Sequence, residues 1–85
     1  MRVDIKTDEV PDWVKCIVQH LYQHYPSVKH VIFDGESLKL KAINNKHLFT
    51  YMAVFIRDLG LQVKYVREGR ETWVVIIPKR PVYVI

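Results

Sequence analysis

Cys16, His20 and His24 stand at four-residue steps, a spacing that on a helix lines up three metal-binding side chains, or a thiol and its base, along one edge. At 1.5 Å per residue Cys16 and His24 would lie about 12 Å apart along the axis, so one ion could take only two of the three. His30 or His47 would have to complete such a site, and the chain has neither a CxxC nor an HExxH spacing. The expectation is boundary histidines, with no metal and no cofactor. Cys16 and His20 also have the reach of a nucleophile and its base. Reactive thiols, however, sit at helix N-termini or beside cations, whereas Cys16 falls well inside its helix. No catalytic residue is assigned, and a thiol-dependent sulfur carrier or small enzyme built on Cys16 is the alternative.

A second constellation is basic. Strand alternation puts Arg2, Lys6, Lys39, Lys41 and Lys64 on outward positions of three strands, with Trp73 and Tyr83 available as stacking surface. Cations interleaved with aromatics are the combination that single-stranded RNA and DNA binders use. A solvated charged face is the plain reading of the same pattern. An RNA-recognition motif would carry aromatics on its third strand, where Ser37-Leu38-Lys39-Leu40-Lys41 has none.

The third feature is apolar. In Thr72 to Ile77, Val74 and Ile76 point one way while Trp73, Val75 and Ile77 point the other, and the run reads as an edge strand. Either the tail Pro81-Val82-Tyr83-Val84-Ile85 or a second subunit must then cover it, which makes Trp73, Val75, Ile77, Val82 and Tyr83 the expected oligomer interface.

The elements that position these residues follow from periodicity. Residues 2 to 6 alternate as a strand. Thr7 or Asp8 caps a helix with Pro11 in its first turn and an apolar stripe of Val10, Val14, Ile17, Val18, Leu21 and Tyr25, ended by Pro26. Val28 to Phe33 and Leu38 to Ile43 form a hairpin around Asp34-Gly35-Glu36-Ser37. Asn44-Asn45 caps a second helix that turns Leu48, Met52, Phe55, Ile56 and Leu59 inward and stops at Gly60. Leu61 to Tyr65 and Thr72 to Ile77 flank the turn Glu68-Gly69-Arg70-Glu71. The order predicts a single α+β domain over residues 1–85, a two-layer sandwich of ferredoxin-like β-α-β-β-α-β type with an extra C-terminal strand. Without the first hairpin it becomes a β-α-β-α-β-β two-layer fold.

Composition sets the outer bounds. The 85 residues suffice for one core, and 49% hydrophobic with 26% charged residues is a folding balance. No apolar run approaches the roughly 20 residues of a membrane span. The N-terminal residues show no secretory pattern and there is one cysteine, so a cytoplasmic location with no membrane partner is expected. Few Asn and Gln among many Val, Ile, Lys and Arg lean toward a thermophilic source. A net charge of +4 permits an acidic partner.

The stretch from Leu38 through the second helix, Asp58-Leu59-Gly60, the strand to Val66 and the final strand to Pro78 resembles the C-terminal half of the small sulfur-carrier proteins of the TusA and SirA type. The resemblance covers less than half the chain. That family carries Cys-Pro-x-Pro at the start of its first helix, where this chain reads Val10-Pro11-Asp12-Trp13 with Cys16 further in, so no site residue is carried over. The leading expectation is a non-enzymatic binding module, a homodimer, whose basic face takes nucleic acid or an acidic protein. A structural subunit of a larger assembly is the third reading.

Overall fold

Every strand signal read from alternation becomes a strand in the computed structural model, which describes residues 1–79. The elements run β1 (Arg2–Ile5), α1 (Asp12–His24), β2 (Val28–Phe33), β3 (Leu38–Ala42), α2 (Asn45–Phe55), β4 (Leu61–Glu68) and β5 (Glu71–Pro78). The tail with Val82 and Tyr83 lies outside the described residues.

The strands form one mixed sheet in the order β1-β2-β3-β5-β4. β1 pairs with β2 in parallel, and all other pairs are antiparallel. This corrects the expected ferredoxin-like arrangement. A split βαβ unit needs a strand between its two parallel members. Here β1 and β2 are direct neighbours, while it is β3-α2-β4 that is split, by β5. The hairpin β2–β3 is present, so the alternative without it is also set aside.

The same order moves Thr72 to Ile77 from the edge to the interior. Leu38, Lys39 and Leu40 of β3 pair with Ile76, Val75 and Val74 on one side of β5, and β4 pairs along the whole of the other. A strand that is apolar on both faces is what a central position calls for. The true edges are β1 and β4.

Both helices lie on one face, where Val14, Ile17 and Leu21 of α1 and Leu48 and Met52 of α2 share a core with Val31, Phe33, Leu38, Leu40, Val74 and Ile76. α1 starts later than expected. Pro11 is the N-cap, in extended conformation, with no side-chain cap, because the proline biases Val10 toward extended backbone. Asn44 caps α2 as expected, accepting a hydrogen bond from the His47 amide at 3.1 Å. Asn45 adds a brace, its Oδ1 accepting from the Ala42 amide and its Nδ2 donating to the Thr72 carbonyl, both at 2.8 Å. α2 ends at Phe55, so Leu59 falls in the following turn and is largely exposed rather than inward. Gly69 at φ 61° makes the two-residue β4–β5 turn, the first-position glycine that suits the twist of a tight hairpin. No helix among the described residues is long and apolar enough to cross a membrane.

Candidate functional site

The sheet face away from the helices collects the cations that alternation placed there, and most of them are already engaged. Lys39 Nζ lies 2.9 Å from Glu68 Oε1, Lys41 Nζ 3.0 Å from Glu71 Oε1, and Arg2 Nε 3.2 Å from Asp4 Oδ2. His30 Nε2 is 2.7 Å from the same Asp4 oxygen, and this hydrogen bond, helped by the Arg2 charge, holds the Asp4 carboxyl below its ordinary range. Lys6 and Lys64 have no ion-pair partner among the described residues.

Trp73 belongs to this face but is only 7% exposed, and Val75 only 8%. The Lys41 ammonium sits 5.2 Å from the Trp73 ring centroid and the His30 ring 5.7 Å from it. Long lysine stems thus lie over the apolar row while their heads reach carboxylates. The Lys41 side chain and the His30 ring contribute cover to Trp73 from within the sheet. An indole so enclosed offers no free face to a nucleotide base.

Cys16 is exposed on α1, in a shallow depression that it shares with Lys15, Gln19 and His20. The His20 ring is at the same time engaged with α2. Its Nε2 is hydrogen-bonded to the Tyr51 hydroxyl and its ring stacks on Phe55 at 3.8 Å. The Tyr25 hydroxyl is hydrogen-bonded to His47 Nδ1, and Tyr25 and Tyr51 pack at 4.8 Å. These rings lock α1 to α2. Among the described residues no three His, Cys, Asp or Glu side chains converge.

Sequence reasoning missed this interhelical cluster, and it gives the domain an acid-sensitive seam. Burial, and then the neighbouring His24, lower the His20 pKa from its ordinary value. The unfolded chain therefore takes this proton at a higher pH than the native one, and stability falls as pH drops below about 6.5. The carboxyls of Asp4 and Asp34, whose pKa values are lowered, act only in a more acidic window. Urea midpoints are expected to decline from pH 7.5 to 5, and to decline less in His20→Phe, which keeps the stacking on Phe55 without the titrating ring.

The remaining feature is the outer edge of β1. Lys6 N–H donates to the Phe33 carbonyl at 2.9 Å, so the even-numbered residues direct their peptide groups toward β2. Val3 and Ile5 direct theirs outward, where β1 has no neighbouring strand among the described residues. Their side chains face the helix layer yet stay 41% and 38% exposed. With Val10, Val18 and Tyr22 they line an apolar groove of about 520 Å³ between β1 and α1. Tyr22 stands 71% exposed at its rim. The opposite edge, β4, carries Lys64, Arg67 and Glu68 as β1 carries Arg2 and Asp4, so it is the groove beside β1 and not charge that sets the two edges apart. The alternation Val3-Asp4-Ile5 was visible in the sequence, but an edge strand and a central one alternate alike. A scan of protein-family models gives no match, and searches of curated proteins and of solved structures find none either.

Proposed function

We propose that the domain is a small non-enzymatic binding module that takes an extended polypeptide strand along the outer edge of β1. One observation carries this reading: unpaired peptide groups at Val3 and Ile5 coincide with the apolar groove that would receive alternate side chains of an added strand. Strand addition draws affinity from main-chain hydrogen bonds and specificity from such pockets. The open face is the weaker candidate, since Arg2, Lys39 and Lys41 are paired and Trp73 is covered.

The test uses displayed hexapeptides with alternating apolar residues, followed by amide chemical shifts. Selected peptides are expected to move the Val3 and Ile5 amides and to lose binding in Ile5→Lys. Peptides that move only open-face amides, or no selection at all, would overturn the reading. Random single-stranded RNA and DNA are expected to give no gel shift at low salt. A shift that Lys64→Glu removes would assign function to the open face instead.

A further inference from the structure

The charges on β1 fit a particular occupant. We infer that the strand this edge takes is β1 of a second copy, paired antiparallel about a two-fold axis at Val3. This rests on the reading of β1 as the binding edge and names its partner.

The register follows from residue types. A two-fold axis at Val3 sets Arg2 opposite the partner's Asp4 and, by symmetry, Asp4 opposite the partner's Arg2. These are opposite charges on one face of the joined sheet, so the Arg2–Asp4 pair made within each strand would extend into a four-charge cluster across the axis. On the other face Val3 meets the partner's Val3, and Ile5 meets the partner's Met1, all apolar. An axis at Asp4 would oppose two aspartates and set Arg2 against the partner's Lys6. An axis at Ile5 also opposes Asp4 to the partner's Lys6, but it sets apolar Val3 against the partner's polar Thr7 and draws on two residues beyond β1, Lys6 and Thr7, where the axis at Val3 draws on Met1 alone. An axis between residues would set Arg2 or Asp4 against an apolar side chain of the opposite face.

Hydrogen bonding agrees with the charges. Val3 directs its N–H and C=O outward, so Val3 and its symmetry mate would exchange both bonds. Arg2 and the partner's Asp4 then occupy the non-hydrogen-bonded positions, where side chains approach most closely. The two grooves would merge over the joined strands, with Tyr22 of each copy at their rims.

The experiment has two arms. Sedimentation of the full chain is expected to give twice the 10.1 kDa monomer mass, and Ile5→Lys to restore the monomer with an unchanged far-ultraviolet spectrum. Val3→Cys in a Cys16→Ser background is expected to form an intermolecular disulfide in high yield. Hydrogen-bonded partners stand about 5.5 Å apart at Cα, within the span a disulfide bridges. Ile5→Cys in the same background should cross-link far less. A monomer at millimolar concentration, a dimer that Ile5→Lys leaves intact, or dominant cross-linking through Ile5→Cys would each overturn the inference. If the wild type is monomeric while selected peptides still move the Val3 and Ile5 amides, only the identity of the partner fails. If the peptides miss β1 as well, the binding edge itself fails.

Discussion

Trp73→Ala is expected to cost the domain about 3–5 kcal/mol of folding stability, the usual range for truncating a buried aromatic. Against a typical total of roughly 5–15 kcal/mol, that is enough to leave a large unfolded fraction on mild heating. The indole is almost fully covered, flanked by the His30 ring and the Lys41 ammonium, and its strand neighbour on β4 is Val66. Truncation would remove these contacts from the middle of the sheet, with β3 and β4 on either side. Trp73→Phe, which keeps most of the apolar volume, should recover most of the loss. Urea unfolding of the three proteins measures this. A stacking platform would behave oppositely, because an exposed indole can be removed with little loss of stability. Wild-type stability in Trp73→Ala would show that the enclosure described here is wrong.

Phe33→Ala should be comparably severe, again about 3–5 kcal/mol. Phe33 is fully buried and meets Trp13 edge-on at 5.9 Å. It pairs with Ile5 on one side and Leu38 on the other, so it sits where β1 is fastened to the rest of the sheet. β1 is only four residues long and pairs with no strand besides β2 among the described residues. The cavity should therefore release β1 before the remaining sheet. Amide exchange is expected to show lost protection at Asp4 and Lys6 at denaturant concentrations where β3 and β5 are still protected. Uniform loss across all five strands would contradict this order.

Local chemistry was legible in the sequence wherever it depends on neighbours along the chain. The hairpin at Asp34 is an example, with its Oδ1 accepting from the Glu36 amide at 2.9 Å and the Ser37 amide at 2.8 Å. Asn44 as a cap was readable in the same way, whereas the expected stop at Gly60 overran the second helix, which ends at Phe55. The start of α1 was misplaced because Thr7 and Asp8 are good caps by type, whereas Pro11 decides the matter by its backbone. Strand order was not legible, since alternation reports which face a residue takes and not which strand lies beside it. The two apolar faces of Thr72 to Ile77 did contain the answer: they marked a central strand, and the expected edge strand mistook interior for exposed surface. The basic face was legible residue by residue. Its ion pairs were not, because Lys39 reaches Glu68 across β5 only in this strand order.

The placement of β5 also bears on how the chain acquires its structure. β1, α1, β2 and β3 can assemble from consecutive sequence, and β4 with β5 makes a second local piece through the turn at Gly69. The seam between them, Leu38 to Leu40 against Val74 to Ile76, joins residues more than thirty positions apart. Loop closure over that distance must precede the contacts that repay it, so joining this seam is expected to be the slow step of folding. Until then both β3 and β5 present bare, apolar edges. A nascent or heat-stressed chain is thus most exposed to wrong pairing at the strand that the finished domain hides best.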